Sequence, residues 1–389
     1  MRLLTDAEPS LASHRSAHGE LRLANRQAIL DEVDRSGLLG RGGAGFPTAR
    51  KMRTVAAGAK PVVLGNGCEG EPASAKDAWL LKRHPHLVLD GLQAAAHAVG
   101  ATEAHLALHR GSLTLPLVRR ALAERRDLVP LTLHEVPARY VASEESALVN
   151  FVNTGKARPT FTPPRPFEQG VGKRPTLVNN VETLAHLALI ARHGAEWFRE
   201  VGDTEEPGTQ LVTVDGTVVE VPTGSTVKEL LGSLSGLQAV LVGGYFGTWV
   251  PLAVASELSL THRDLRAAGG ALGAGIVVGL PEGACGLLET ARVAAFLAAE
   301  NAGQCGPCLN GLPAIASAVR ALALGPWDER TMADLDRWLG VVPGRGACRH
   351  PDGAVRFVLS ALSVFAPDVA EHRAGRPCAG IHRAPVLPL

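Results

Sequence analysis

Hydrophobic positions in the first half of this chain alternate between two periods, and the alternation predicts an α/β fold. Residues Ala24 to Ser36 place apolar side chains at helical spacing. A glycine-rich break follows, and Pro47 opens a second helix that runs to about Ala57. Pro61-Val-Val-Leu-Gly-Asn66 is a short apolar run bounded by turn residues, the pattern of a buried strand. The same reasoning predicts helix up to Gly100, strand Ala104 to His109, helix Leu113 to Glu124, strand Leu131 to Val136 and a helix beginning near Glu144. Strands separated by helices in this way build a mostly parallel sheet covered on both faces.

Further along, Asn153 to Lys173 is rich in Pro, Gly and basic residues and predicts an irregular crossing segment, after which Val178 to Thr183 leads into a long helix through Trp197. From Gly208 the pattern shortens to strand-like alternation. Gln210 to Val214 and Val218 to Val221 flank the hairpin signal Asp215-Gly216. Thr226-Val-Lys-Glu229 is a capping box opening a short helix, and Ala239 to Gly244 returns as a strand. Two strands, a helix and a strand suggest a β-grasp unit, which a strand within Ala271 to Leu280 closes onto the main body. Gly286 to His372 is helical by period. The expected division is an α/β domain at 1–205, a β-grasp domain at 206–285, a helical domain at 286–375 and a tail at 376–389.

Composition narrows the function classes. A chain of 389 residues has room for two or three domains at about 100 to 200 residues each. Its 39 Lys and Arg balance 38 Asp and Glu, so no global field draws it to nucleic acid or anionic lipid. Neither a signal-peptide core near Met1 to Ser10 nor a run of about 20 uninterrupted apolar residues is visible, which predicts a cytoplasmic protein without direct membrane insertion. Six cysteines are too few for a disulfide framework.

Candidate chemistry gathers at four places. Five glycines fall within Gly37 to Gly45, leaving backbone amides free to close around an anion such as a phosphate. Gly40, Gly42 and Gly45 satisfy G-x-G-x-x-G, but a helical stretch precedes them where a dinucleotide fingerprint needs a strand. What remains is a loop feeding the N-terminus of the next helix, which favours negative charge. The second place is Asn66 to Asp77, which crowds Glu69, Glu71, Lys76 and Asp77 at a strand's carboxyl end. Ser143-Glu-Glu-Ser146, with Ser143 expected to cap the helix, and the adjacent Asn179 and Asn180 form the third. The fourth is Cys305-Gly-Pro-Cys308 with Cys348 forty residues on, for which a thiolate-held iron–sulfur cluster is the leading use. His84 and His86 have no ligand-like neighbours in sequence and read as surface histidines.

Taken in order, these stretches resemble the flavin- and NADH-binding subunit of respiratory complex I, a type also found in NAD-linked hydrogenases and formate dehydrogenases. The resemblance runs from about Arg26 to His372 and rests on Gly40 to Thr48 with Lys51, Asn66 to Asp77, Ser143 to Glu145, Asn179 to Thr183, and the three cysteines. It implies a Rossmann-like FMN-binding domain with a parallel sheet, a β-grasp domain of the SLBB kind, and a helical bundle carrying the cluster. By this resemblance FMN sits on Gly40, Arg41, Gly42, Gly43, Ala44 and Gly45, near Asn179, Asn180 and Thr183, with Lys51, Asn66 and Glu69 beside it. Phe46 stacks on the nicotinamide side, and Glu71, Glu144 and Glu145 line the dinucleotide site. NADH then gives a hydride to FMN, and single electrons pass to a [4Fe-4S] cluster held by Cys305, Cys308 and Cys348. The implied partner is a ferredoxin-like or other iron–sulfur subunit, within a membrane oxidoreductase complex in some relatives.

Departures from that pattern are specific. Ala302 stands where the family has a first cysteine ligand, so a cluster needs a fourth ligand from Cys378, Cys285, His350 or Gln304, or takes a degenerate form. Thr54, Thr162 and Arg165 replace two aromatics and a lysine on the dinucleotide side. Cys68 replaces an aspartate near the flavin and reads as a small buried spacer. Two rivals follow: a flavin and iron–sulfur relay that no longer binds NADH, and a non-catalytic zinc- or redox-sensing scaffold.

Overall fold

The protein's structure, a computed structural model, describes residues 2–5 and 8–389. The chain folds into two compact units. The first takes the chain to Gly70, then Ser74–Thr213 and Thr217–Ser225, and the second takes Glu71–Ala73, Val214–Gly216 and Thr226–Leu389.

The first unit is built on a four-stranded sheet of β1 (Val62–Asn66), β2 (Ala104–His109), β3 (Leu131–Val136) and β4 (Thr176–Asn180), in the order β3-β2-β1-β4. Every pairing is parallel. Val62, Val63 and Leu64 are fully buried, as a strand covered on both faces requires. The helices Pro85–Val99 and Val181–Arg199 pack so closely that a Cβ on Gly91 would lie 1.9 Å from the Leu184 carbonyl oxygen. Only glycine allows that approach. The chain steps outward from β1 to β2 and β3, then returns to place β4 on the other side of β1. Such a reversal of strand order is where open parallel sheets hold ligands, at the carboxyl ends of the strands, and here Asn66 pairs with Asn180 at that end of β1 and β4.

Sequence periodicity gives β2 and β3 with the observed bounds but misses β4, whose apolar stretch Thr176-Leu-Val178 is too short to show a period. Its strand conformation comes from pairing with β1, far away in sequence. The helix expected to run to Gly100 is two helices, Lys76–Arg83 and Pro85–Val99, broken at His84-Pro85. His84 and His86 are buried rather than on the surface, with His86 Nε2 3.2 Å from Glu124 Oε2. The long helix ends at Arg199 with a non-helical Gly194 inside it (φ 86°). The expected hairpin is present as β5 (Thr209–Val214) and β6 (Thr217–Pro222), with Asp215 and Gly216 at φ 44° and 82°, as a two-residue turn with positive φ demands.

In the second unit β7 (Leu237–Val242) pairs antiparallel with β8 (Thr248–Pro251) and β9 (Ile276–Pro281). The strand expected within Ala271–Leu280 starts only at Ile276, because the glycines before it form turns, and β8 is too short for its pattern to announce it. The capping box is formed, with Thr226 Oγ1 accepting from the Glu229 amide at 3.2 Å. Helices Gly286–Ala299, Leu312–Leu324, Glu329–Val341, His350–Val364 and Ala366–Arg373 complete the unit. One helical run, Pro307–Leu324, is by length and composition apolar enough to cross a membrane, and half of it is buried in the unit, as in a core helix.

Candidate functional site

The glycine loop is closed by its own backbone. Gly37 ends the helix Arg26–Ser36 in the left-handed region, Gly40 N–H donates to the Phe46 carbonyl at 3.0 Å, and Thr48 N–H donates to the Leu38 carbonyl at 3.0 Å. Between these ties the chain turns through Gly43 and Gly45 at φ 102° and 61°, a conformation costly for any side-chain-bearing residue. Arg41 N–H donates to Thr183 Oγ1 at 2.8 Å, which fixes the loop to the helix following β4. A Cβ on Gly42 would come within 3.3 Å of Asn180 Cβ, so the loop lies directly on the end of β4. Among the described residues, the amides of Gly42, Gly43, Ala44 and Gly45 have no acceptor. Four amide donors without a protein acceptor in one short loop are the arrangement with which a nest of backbone amides can take an anion.

Polar atoms near this cradle also lack partners. Asn179 is 6% exposed and its Nδ2 is unbonded, as are the buried Thr48 Oγ1 and Arg41 Nε. Asn180 behaves differently: it caps the helix Val181–Arg199, Oδ1 accepting from the Glu182 amide at 2.9 Å, while its Nδ2 donates to Asp77 Oδ2 at 2.6 Å.

Beneath lies a buried charge network that the sequence did not announce as a unit. Lys76 Nζ sits 2.7 Å from Asp77 Oδ1 and 2.8 Å from Glu182 Oε2, and Glu182 Oε1 accepts from the Leu211 amide at 2.8 Å. Burial alone would lower the Lys76 pKa, but the two carboxylates outweigh it and hold the ammonium charged. Burial pushes Asp77 up to about 6, the opposing pull of Lys76 notwithstanding. Burial works against Glu182 too, yet Lys76 and then His186 bring it down to about 2. One ammonium between two carboxylates thus positions the residues that carry the loop.

Around this end of the sheet the expected residues take definite roles. Lys51 Nζ lies 3.1 Å from the Val178 carbonyl and 3.3 Å from Glu145 Oε2. Asn66 Nδ2 donates to the Ser143 carbonyl at 2.9 Å, and its Oδ1 accepts from the Cys68 amide at 3.0 Å. Cys68 is buried, and burial pushes its thiol up out of the reactive range, as a spacer requires. Glu69 accepts from Ser74 Oγ at 2.5 Å and from the amides of Asp77 and Ala78 at 3.1 and 3.0 Å, capping the helix Lys76–Arg83. Glu71 falls in the second unit, where Oε1 accepts from the Tyr245 amide at 3.0 Å. The cap of the helix Glu145–Thr154 is Glu144, not Ser143: Glu144 Oε2 accepts from the amides of Ser146 and Ala147, while Ser143 turns its hydroxyl back to the Tyr140 carbonyl. Ser143 belongs to the 3-10 turn Tyr140–Ser143, which leaves the capping position to Glu144.

Phe46 stacks on Phe167, with centroids 5.9 Å apart and planes at 26°, and the charges of Arg50 and Lys51 lie 5.8 and 5.9 Å from its ring. Sequence reasoning misses Phe167 and Arg50, Phe167 because it lies in the segment read as irregular.

In the second unit, Cys308 opens the helical run as part of a single π-helical turn, Pro307–Gly311. Burial pushes its thiol up to about 12, reinforced by the nearby Cys305 and Cys348, while the Ala302 amide donates toward its sulfur. Cys305 and Cys348 thus lie near enough to Cys308 to bear on its ionisation. Of the proposed fourth ligands, His350 gives Nε2 to the Leu297 carbonyl at 2.8 Å, and Cys285 and Cys378 are grouped with each other and with His372.

Comparison with known proteins gives a consistent result. The Nuo51 FMN-binding domain matches residues 33–189, and the NADH-ubiquinone oxidoreductase-F iron-sulfur binding region matches residues 289–372. The second NADH-quinone oxidoreductase F subunit of Rhizobium meliloti is 31% identical over 379 residues, covering 90% of each chain. The NADH-quinone oxidoreductase F subunit of Escherichia coli is 32% identical, covering 87% of this chain and 82% of its own. The crystal structure of an NAD+-reducing [NiFe]-hydrogenase in the H2-reduced state superimposes with a TM-score of 0.83 at 31% identity, covering 95% of this chain and 66% of that one.

Proposed function

Since the chain belongs to the family of NADH-quinone oxidoreductase F subunits, we propose that its glycine loop holds FMN and that Phe46, Phe167, Arg50 and Lys51 form the face that receives NADH. The protein is an NADH dehydrogenase-like flavoprotein oxidoreductase with FMN-binding and iron–sulfur-binding regions. FMN held there would supply the conversion of a two-electron hydride donor into single electrons for an iron–sulfur centre.

The residues fit the flavin phosphate. The observation that carries the assignment is the set of four unpaired amides from Gly42 to Gly45, lying against the end of β4 where Asn179 Nδ2 also lacks a partner. Thr183 holds the loop's position through the Arg41 amide. Gly40 keeps its closed shape. Lys51 brings a positive charge to the carboxyl end of β4, and Glu145 stays beside it as the acidic partner. Asn66 ties β1 to the segment carrying Glu144 and Glu145. Glu69 and Glu144 act by capping helices at the site, which keeps their carboxylates fixed rather than free to reach a ligand.

The cysteine group fits a thiolate-held centre at three positions, Cys305, Cys308 and Cys348, with the fourth family ligand replaced by Ala302. The acceptor we propose is an iron–sulfur subunit of the ferredoxin type in a complex I-like or hydrogenase-like assembly on the cytoplasmic side. Support comes from relatives that are themselves named as subunits.

An anaerobic absorbance titration of FMN-reconstituted protein tests the reading. Bleaching of the flavin band at stoichiometric NADH is expected. If only dithionite bleaches it, the dinucleotide face fails and the chain is a relay fed by another protein. If no flavin binds, the cradle assignment itself falls.

A further inference from the structure

A second sulfur site stands apart from the three cysteines of the iron–sulfur region in its ligand set and its chain segments. Cys285, His372 and Cys378 bring one ligand atom each to within 4.8 Å of the others. Cys285 and His372 are buried, and Cys378 is partly so. They come from three segments: the N-cap of the helix Gly286–Ala299, the last turn of Ala366–Arg373, and the tail.

Each donor is oriented. The Cys285 and Cys378 sulfurs lie within 4.8 Å of each other, and Cys285 Sγ accepts from the Leu288 amide at 3.3 Å. His372 Nδ1 lies 3.1 Å from the Ala323 carbonyl, which fixes the proton on Nδ1 and leaves the Nε2 lone pair directed at the Cys378 amide, 3.1 Å away. A ring N–H held by a backbone carbonyl, with the other nitrogen left as an acceptor near two sulfurs, is how proteins orient a metal-binding histidine.

The surrounding chain is shaped to bring the tail there. A Cβ on Gly380 would lie 2.6 Å from Ala284 C and Cys285 N, so only glycine lets the tail cross at that point. Farther on, Glu289 accepts from the Val386 and Leu387 amides at 3.1 and 3.0 Å, holding the tail against the same helix that Cys285 begins.

We propose that Cys285, His372 and Cys378 bind a Zn2+ ion that clasps the C-terminal tail to this unit, with water in the fourth position. Tetrahedral zinc with sulfur at about 2.3 Å and nitrogen at about 2.0 Å places its ligand atoms roughly 3.5 to 4 Å apart, within reach of small side-chain rotations here. On binding, the two thiols release their protons to solvent, two Zn–S bonds form, and the Nε2 lone pair exchanges the Cys378 amide for the metal. Two thiolates then neutralise the ion, so the buried site carries no net charge. A soft donor set of two sulfurs and one nitrogen selects zinc over magnesium or calcium.

The test is zinc and iron content of the full-length protein, purified anaerobically without chelator. About one zinc per chain is expected, falling at least tenfold in Cys378→Ser and in His372→Ala, while Cys348→Ser loses iron and keeps zinc. Cys378 lies in the tail, so its variant leaves the helical core intact. As a second measurement, Co2+ added to metal-free Cys348→Ser protein should give the absorption of tetrahedral thiolate-bound cobalt, and the additional change Cys378→Ser should abolish it. Zinc absent from the wild type, zinc unchanged in Cys378→Ser, or a peptide pair joined through Cys285 and Cys378 would each overturn the proposal. None of these readouts involves flavin or NADH, so failure here and failure of the flavin assignment are separable.

Discussion

The glycine cradle and the cysteine group are two receptors made of different material, and they have fared differently. The cradle uses backbone amides from Gly42 to Gly45, whose positions are set by hydrogen bonds to Thr183, Phe46 and Leu38. Side chains around it can change without removing a donor. The cysteine group consists of side chains, so one substitution removes a whole donor, and by the resemblance Ala302 stands where a first cysteine is expected. A site made of main chain depends on its supports, whereas a site made of side chains depends on each residue separately.

The sharpest way to probe the second half of this contrast is to return the missing ligand. Ala302 lies close to Cys308 in the chain's fold, and by the family resemblance it holds the first ligand's position, so Ala302→Cys should place a fourth thiolate at the group. Iron after anaerobic reconstitution is expected to rise to about four per chain, the content of a [4Fe-4S] cluster. Iron content and the electron paramagnetic resonance of the reduced protein check this, and no gain over the wild type would show that position 302 does not face the metal.

The cradle should fail through its supports. Lys76→Met leaves Asp77 and Glu182 buried without their cation, at a cost of about 3 to 5 kcal/mol. Urea unfolding should show that loss, with flavin released at lower denaturant than in the wild type. A loss under about 1 kcal/mol, the range of an exposed pair, would mean that the network carries no load for the loop.

The same network gives a pH signature. Asp77 is raised from 3.8 to about 6, so the folded state holds this proton more tightly than the unfolded chain. Its contribution is fully present below about pH 4 and is lost as pH rises through about 6. Glu182, lowered from 4.5 to about 2, acts oppositely: its contribution is present above about pH 4.5 and lost as pH falls through about 2. Asp77→Asn should therefore flatten the decline in stability between about pH 4 and 6, by about 3 kcal/mol at most for a pKa raised by about two. Urea midpoints at closely spaced pH values measure it, and an unchanged slope would contradict the assignment to Asp77.

How much of this was legible in the sequence depended on range. The apolar runs of β2 and β3, bounded by turns, marked those strands with their observed bounds, and Asp215-Gly216 marked its hairpin. The glycine spacing disclosed the cradle because backbone freedom is a local property. By contrast, β4 exists through its register with β1, and Lys76, Asp77, Asn180 and Glu182 become one network only when the sheet brings them together. The grouping of Cys285 with His372 and Cys378 has no motif spacing to announce it.

Within the cradle, Gly45→Ala places a Cβ at φ 61°, a conformation that costs a non-glycine residue about 1 to 2 kcal/mol. FMN affinity should fall by about tenfold while the far-ultraviolet circular dichroism stays the same, since the strain is confined to the loop. Equal affinity, measured by flavin fluorescence quenching, would mean that the loop is not the phosphate receptor.

The smallest effect concerns the aromatic face. By the resemblance two aromatics of the family pattern are absent from this chain, yet Phe167 stacks on Phe46 and offers a flat apolar surface beside it. An aromatic pair contributes about 0.5 to 1.5 kcal/mol beyond the area it buries, so Phe167→Ala should raise the KM for NADH about two- to tenfold. FMN affinity should stay constant, because Phe167 stacks on Phe46, at the loop's end, and not on the four amides. A change in FMN affinity with KM unmoved would place Phe167 in the cradle instead. The split between the two constants thus decides whether divergence on the dinucleotide side was compensated by a residue outside the family's spacing or only tolerated.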